Sequence, residues 1–487
     1  MSSHVHLVGI CGTGMASLAG LFLADGWRVT GSDTQAYPPM GPMLAELGIS
    51  VAIGFDAAHL APRPDLVIVG NVCTAQNPEA RAAIDTNIPY RTLPHAVAEF
   101  FGKSRLPIVI TGTHGKTTCT SLAAWLLESA GRDPSFLIGG VPHNFARSYK
   151  LGAGREIVIE GDEYDSAFFE KTPKFLHYGG RAILMGPVEF DHADIYQDLD
   201  AVLAAFRTLI TQLPHDALLV ACADSANVRG LLKDARCKVI TYGVEAETIA
   251  DVKAYIVAMG PSGAEFGIVA VRRSPVASYG KDVARDRSPV PGDVFHSPLA
   301  GKHNVQNATG VITLLRELGL AAAELKSGLA TFGGIKRRQE IIGVGDGVTI
   351  IDDFAHHPTA IRETVQALRS KFPGQRLVIA FEPRSNTSGR KIFHEAYLEA
   401  FQGASFVVLG AVHKVDRIPP AERLDAAALA RDLSARNIPA HYCPESFAIR
   451  AALLHAAQPG DVVAFMSNGD FAGLHHQLLQ DLQQRSR

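Results

Sequence analysis

Lys116 and Thr117 close the run Thr111-Gly112-Thr113-His114-Gly115-Lys116-Thr117-Thr118, a set of residue types suited to holding a polyphosphate. Glycines let the backbone approach a phosphate chain, and the N–H groups of a following helix start point at it. An ammonium neutralises β/γ oxygens and a hydroxyl is offered to Mg²⁺. ATP contacts are therefore expected from Gly112, Thr113, His114, Gly115, Lys116, Thr117 and Thr118. The loop is shorter than the usual G-x-x-x-x-G-K-[ST], since Ile110 stands where the first glycine would be.

Ile157-Val158-Ile159-Glu160 is an apolar run that ends in acid, followed by Gly161, Asp162 and Glu163. A carboxylate at a strand's carboxyl end can hold the Mg²⁺ of a nucleotide on the neighbouring loop, which makes Glu160 the expected ligand beside Thr117. Asp162, Glu163 and Asp165 read as a solvated turn. The next apolar run leads to Glu189-Phe190-Asp191-His192, where His192 is open to two roles, a second Mg²⁺ or a phosphate contact. Zinc is not expected, because no H-E-x-x-H or paired His/Cys spacing occurs.

His303 and Asn307 lie four apart in Lys302-His303-Asn304, a spacing that puts imidazole and amide on one helical face, able to meet a purine. A plain helix start capped near Asn304 fits equally. Lys336-Arg337-Arg338 can reach a polyphosphate bound next door. Asp352-Asp353-Phe354-Ala355-His356-His357-Pro358 is either a cap cluster or a ribose and phosphate contact.

These residues need elements to position them. Leu106 to Ile110 reads as a strand, and Cys119, Leu122, Ala123, Leu126, Leu127 and Ala130 mark the buried face of a helix stopped at Gly131. Val5 to Val8, a glycine turn from Gly9 to Met15, a helix from Ala16 to Ala24 and a strand from Trp27 form a β-α-β unit, with Asp33 placed to meet a ligand hydroxyl. The turn reads G-x-x-G-x-G and not G-x-G-x-x-G, which argues against a nicotinamide oxidoreductase. Further strands are expected at 66–69, 157–160, 182–185, 217–220, 348–351, 376–380, 406–409 and 462–465, and a small antiparallel section between about 245 and 300. Three α/β domains follow: a Rossmann-like unit at 1–104, a doubly wound phosphate-loop domain at 105–332, and a Rossmann-like unit at 333–487.

Net charge is -3 with 20% charged and 47% hydrophobic residues, so no overall basic signature points to nucleic acid. Six dispersed cysteines suit a reducing compartment. Neither a signal segment nor an apolar stretch long enough for a membrane is read, so a cytoplasmic protein without a membrane partner is expected. Oligomeric state is not encoded legibly.

Taken together, Gly9 to Met15, Thr111 to Thr118, Glu160 to Glu163, Asp191-His192, Gly301 to Asn304 and Asp352 to Pro358 resemble the Mur ligase family, along nearly the whole chain. The resemblance implies a UDP-binding first domain, an ATP-binding second and an amine-binding third. Glu160 to Phe169, Phe175 to Tyr178, Glu382 to Thr387 and Met466 to Phe471 look like the members that ligate a tripeptide, L-alanyl-γ-D-glutamyl-meso-diaminopimelate, to UDP-N-acetylmuramate. The L-alanine-ligating members usually carry Pro-His-Arg where this chain has Pro383-Arg384-Ser385, and ligation of L-alanine is the alternative. A nucleotide-binding protein without catalysis is the other, opposed by intact Lys116, Glu160 and His192.

The resemblance assigns catalysis to Lys116, Glu160 and His192, and metal binding to Thr117, Glu160 and His192 with Mg²⁺. Besides the loop, ATP is assigned to Asn144, His303, Asn304, Asn307, Arg337, Asp353 and His356. The UDP-sugar falls to Gly12, Thr13, Gly14, Met15, Ser32, Asp33 and Asn71, and the peptide to Arg384, Asn386 and Asn468. Two departures stand out. Gly186-Pro187 replaces the usual asparagine, and Arg207 lies near where some members carry a carbamylated lysine, so no carbamate-bridged metal is expected.

Overall fold

A computed structural model describes residues 2–37, 40–271, 292–413 and 415–485. His4–Val8 is buried along its whole length, as a parallel strand covered on both faces must be. It centres a five-stranded parallel sheet between Arg28–Asp33 and Leu66–Val69, with Val51–Ile53 and Tyr90–Thr92 at the edges.

The second sheet has ten strands among the described residues. At its heart Leu106–Thr111 pairs in parallel with Glu156–Glu160 on one side and Ala182–Met185 on the other. The phosphate loop, the Glu160 turn and the segment from Gly186 to His192 therefore leave one edge of the sheet together, at the carboxyl ends of adjacent strands. Leu218–Cys222 and Lys238–Gly243 continue the parallel part, and Val252–Gly260 joins parallel at its start. Gly263–Ala270 and Asp293–Ser297 then add antiparallel strands. The expected antiparallel section is thus an extension of the main sheet, and its residues 272–291 lie outside those described.

In the third sheet Val348–Asp353, Val462–Met466, Leu377–Phe381, Phe406–Leu409 and Ala440–Tyr442 run parallel, and Glu340–Gly345 adds an antiparallel edge. Sequence patterning misses that edge because Gly343 and Gly345 interrupt it. Their small size has a packing cause: a Cβ on Gly343 would lie 2.8 Å from Leu479, and one on Gly345 2.9 Å from Leu482. Helix Ala322–Ala330 is also missed, and its Gly328 sits where a Cβ would meet Ser129 Oγ at 2.3 Å.

The first two sheets share an apolar core. Ser17 Oγ lies 2.7 Å from Ser148 Oγ across this joint, and Gly20 approaches Tyr149 so closely that a Cβ would lie 2.1 Å from its ring. The first unit is thus docked on the second.

Candidate active site

Gly115 (φ +79°) turns the chain into helix Lys116–Ser129, and Gly112 (φ +122°) lets the loop touch its neighbour backbone to backbone. A Cβ on Gly112 would fall 2.9 Å from Gly186. Gly186 N donates to Thr111 O at 2.8 Å, and Thr113 N donates to Pro187 O at 2.8 Å. Gly186-Pro187 is therefore a brace for the loop, a role invisible until the two strands are seen side by side. Asn307 closes the mouth from above, since a Cβ on Gly115 would meet its Oδ1 at 2.4 Å. Asn304 instead donates its amide to Ala300 O at 2.7 Å.

Lys116 Nζ donates to Gly112 O at 2.9 Å and Thr113 O at 3.2 Å and pairs with Glu163 at 2.8 Å. Burial opposes its charge, but Glu163 and Asp162 outweigh that and raise its pKa. Glu163 is only 2% exposed and also pairs with His192 Nε2 at 2.9 Å. The expectation of a solvated turn is wrong for Glu163: it is the buried carboxylate joining the two cations. Asp165 sits at the rim with Lys171. No local signal separates Glu163 from its acidic neighbours, because its burial comes from the Lys116 loop and the His192 turn.

Burial works against the His192 imidazolium, yet Glu163 and then Asp191 raise its pKa from 6.5 to about 9. A raised folded-state pKa means stability that is complete below pH 6.5 and lost as pH rises through about 9. The difference in unfolding free energy between the native chain and His192→Gln should accordingly shrink across that window in urea titrations. A difference independent of pH would contradict the ion pair.

Thr117 Oγ1 donates to Glu160 Oε1 at 2.8 Å, and Gly139 N donates to Oε2 at 2.7 Å. Gly139 has no side chain for a reason, since a Cβ there would lie 2.9 Å from both carboxylate oxygens. Burial raises the pKa of Glu160 despite Gly139, Lys116 and Thr117, the condition of a carboxylate that gains from a cation. The expected metal trio separates in space: Thr117 stands with Glu160, whereas His192 clusters with Asp162 and Glu163, their ligand atoms within 4.8 Å of one another.

Elements of the third unit reach this edge. Thr359 Oγ1 donates to Glu189 Oε2 at 2.8 Å, the same oxygen that His114 Nε2 meets at 2.9 Å. Burial would raise Glu189, but His114 foremost, with Thr359, brings its pKa down to about 2. His356 comes close to Asp191 and has its pKa lowered by burial, its Nδ1 bonding Phe354 O at 3.0 Å. Asp353 is occupied by backbone, accepting from Gln339 N at 2.7 Å and Ala355 N at 2.8 Å. Arg337, expected to face ATP, turns away: Nε meets Asp352 at 3.1 Å and Nη2 donates to Ser467 O and Gly469 O. Arg338 lies 4.8 Å over the Phe354 ring, a face that Arg337 also approaches at 5.2 Å. Burial lowers the pKa of Arg338 while Asp353 and Glu160 oppose that effect. Asn144 bridges the joint before this unit, donating to Thr331 O at 2.9 Å and accepting from Gly333 N at 2.7 Å. His303 faces Glu363 at 3.7 Å. Arg207 pairs with Asp234 at 3.0 Å.

In the first unit, Gly12 opens helix Thr13–Ala24, Thr13 and Asn71 are exposed, and Gly14 is half-buried. Met15 and Ser32 differ from expectation by being buried: Met15 lies in the core and Ser32 Oγ donates to the buried Glu79 at 2.5 Å. Asp33 holds the glycine turn by accepting from Cys11 N at 2.8 Å. In the third unit Arg384 lies near Glu382 at 3.6 Å and Asp470 at 3.8 Å, and packs so tightly on Gly469 that a Cβ there would lie 2.3 Å away. Asn386 Oδ1 and Asn468 Oδ1 are buried without a hydrogen-bond partner, as acceptors awaiting a donor would be. Glu382, read in the sequence only as the start of a motif and given no role of its own, gathers His413 at 2.7 Å and Ser467 Oγ at 2.6 Å.

Comparison with known proteins agrees with this arrangement. Residues 4–105 match the Mur ligase family catalytic domain, 110–315 the Mur ligase middle domain and 337–469 the Mur ligase glutamate ligase domain. The chain is 37% identical to the UDP-N-acetylmuramate–L-alanyl-gamma-D-glutamyl-meso-2,6-diaminoheptandioate ligase of Escherichia coli (strain K12), covering 99% of each. It is 35% identical to a UDP-N-acetylmuramate–L-alanine ligase of Methylibium petroleiphilum, covering 98% of this chain and 97% of that one. A solved murein peptide ligase from Psychrobacter arcticus 273-4 superposes with a TM-score of 0.70 at 32% identity, covering 99% of both chains. With three successive domains matched and relatives aligned end to end, the chain belongs to the Mur ligase family.

Proposed function

We propose that this chain is an ATP-dependent, ADP-forming ligase that joins L-alanyl-γ-D-glutamyl-meso-diaminopimelate to the lactyl carboxylate of UDP-N-acetylmuramate. The observation that carries the reaction type is the convergence of Lys116, Thr117 and Glu160 at one phosphate loop. Peptide choice is supported by the Escherichia coli relative and by Pro383-Arg384-Ser385.

Thr117 and Glu160 offer hard oxygen donors that fit Mg²⁺, and Asp162, Glu163 and His192 form a second possible set. When bound, the ion supplies charge neutralisation on phosphate oxygens. The chain's own residues do the rest. Lys116 and the loop backbone hold the β/γ-phosphates, with Asn307 and His303 above them and Arg338 facing the transferred group. Gly12, Thr13, Gly14 and Asn71 hold the UDP-sugar on a turn that Asp33, Ser32 and Met15 keep in place. Phosphoryl transfer to the lactyl carboxylate yields an acyl phosphate, and the peptide's amine displaces phosphate from it. Positioning and charge suffice for both steps, so no protein nucleophile is required.

Arg384 provides a planar fork for a peptide carboxylate, and Asn386 and Asn468 provide acceptors for its N–H groups. Arg384→Ala should raise the KM for tripeptide at least tenfold with kcat within about twofold, a loss of uniform binding. An unchanged peptide KM removes Arg384 from the site. Nucleotide substrates favour a cytoplasmic site of action for this enzyme. Among the described residues no helix is long and apolar enough to cross a membrane.

Phosphate release from ATP with UDP-N-acetylmuramate plus either tripeptide or L-alanine tests the substrate. Release and a product of the corresponding mass are expected with tripeptide. Turnover with L-alanine alone would reassign the chain to the alanine-ligating branch.

A further inference from the structure

Arg105, Arg155 and Arg181 each immediately precede a strand of the second sheet, Leu106–Thr111, Glu156–Glu160 and Ala182–Met185. Those strands are adjacent and parallel, with Leu106–Thr111 in the middle. Arg105 and Arg155 therefore lie in register, about 4.8 Å apart in backbone, and Arg181, level with Pro107, is set two residues further along the neighbouring strand. Backbone hydrogen bonds fix these positions: Leu106 N donates to Arg155 O at 2.7 Å and Arg181 N to Pro107 O at 3.0 Å. The phosphate loop leaves the other end of the same strand, roughly 17 Å away at about 3.3 Å per residue. The three arginines are thus outside the catalytic cleft.

They form one wall of a groove of about 800 Å³ between the second sheet and the segment ending in the linker at Gly102 to Arg105. Arg91, Lys103, Arg105, Arg155 and Arg181 line the groove against a single lining carboxylate, Glu99, which Arg91 occupies at 2.7 Å. Arg181 meets Asp216 at the exposed rim. Arg105 donates to Phe101 O and Gly152 O, contacts that orient the guanidinium without neutralising it, and its Nε–H is buried without an acceptor. Among the described residues no ion pair joins Lys103, Arg105 or Arg155 to a carboxylate. In a chain of net charge -3, this is a local excess of positive charge around a concavity.

We propose that this groove binds a polyphosphate anion, free or as the phosphate chain of a nucleotide, at a site separate from the catalytic one. Guanidinium forks suit phosphate oxygens, and Arg105 and Arg155 at strand spacing with Arg181 two residues further along can meet successive phosphate groups. The linker between the first two units contributes Lys103 and Arg105, so a bound anion ties that linker to the edge of the second sheet.

Isothermal titration of inorganic tripolyphosphate without Mg²⁺ tests this in Lys116→Ala protein, where the phosphate loop is impaired. Saturable binding is expected, weakened at least tenfold by adding Arg155→Glu and Arg181→Glu. In the chain with Lys116 intact, the same two substitutions should remove one equivalent of bound tripolyphosphate, which guards against a folding defect from the loop substitution. Absence of saturable binding, equal affinity with and without the two glutamates, or equal displacement by sulfate at matched ionic strength overturns the proposal. An ATP arm separates the sources: affinity equal to tripolyphosphate assigns the phosphate chain alone, and tighter binding assigns a nucleotide, either supporting the site.

Discussion

Lys116→Met is expected to lower kcat about 10³-fold, the usual scale for removing one aligned charge from a developing negative centre. The resting ammonium is held by two carbonyls of its own loop and by Glu163. Phosphate oxygens can replace the carbonyl contacts while Glu163 keeps the side chain aimed, so the preorganisation is already present. A loop lying simply on the surface of its sheet would make this substitution neutral for folding, but Glu163 is 2% exposed. Losing Lys116 leaves that carboxylate with His192 alone, and unfolding should become easier by about 1–3 kcal/mol. Single-turnover phosphate release and urea unfolding on the same protein separate the two effects. Near-native turnover would remove Lys116 from the mechanism.

Arg338→Ala should cost about 10³-fold in kcat with little change in stability, whereas Arg337→Ala should do the reverse, destabilising by about 1–3 kcal/mol. The two are adjacent, and their surroundings differ. Arg337 has a carboxylate and two carbonyls for its guanidinium, and Asp352 beside it is pushed up to about 6 by burial, against the pull of Arg337. Arg338 shares the Phe354 face with Arg337 but lies in the field of Asp353 and Glu160, which leaves its guanidinium to meet an anion. Steady-state kinetics and thermal unfolding of both variants decide between them. A kcat loss confined to Arg337→Ala would exchange the roles.

That exchange shows where sequence reading stopped. Lys336-Arg337-Arg338 announces a basic approach to the cleft, but the left-handed backbone at Arg337 (φ +61°) and Gln339 (φ +50°) decides which guanidinium Asp352 holds. The phosphate loop, the Glu160 strand tip and the three sheets were legible because each depends on local periodicity and on a residue's place at a strand end. Glu163, Glu382 and the brace at Gly186-Pro187 were not, since each is defined by a neighbour far along the chain. Ser32, which stands inside strand Arg28–Asp33, illustrates the same limit. Its position was legible, but its direction was set by Glu79 on a helix.

The most direct test of the ligase account follows oxygen. UDP-N-acetylmuramate labelled with ¹⁸O in its lactyl carboxylate is incubated with the chain, ATP, Mg²⁺ and tripeptide, and the released phosphate is analysed by mass. Carboxylate activation predicts one ¹⁸O in each phosphate, together with an amide product that has lost one label. Phosphate released without ¹⁸O would mean that water and not the carboxylate received the phosphoryl group, and would contradict the assignment.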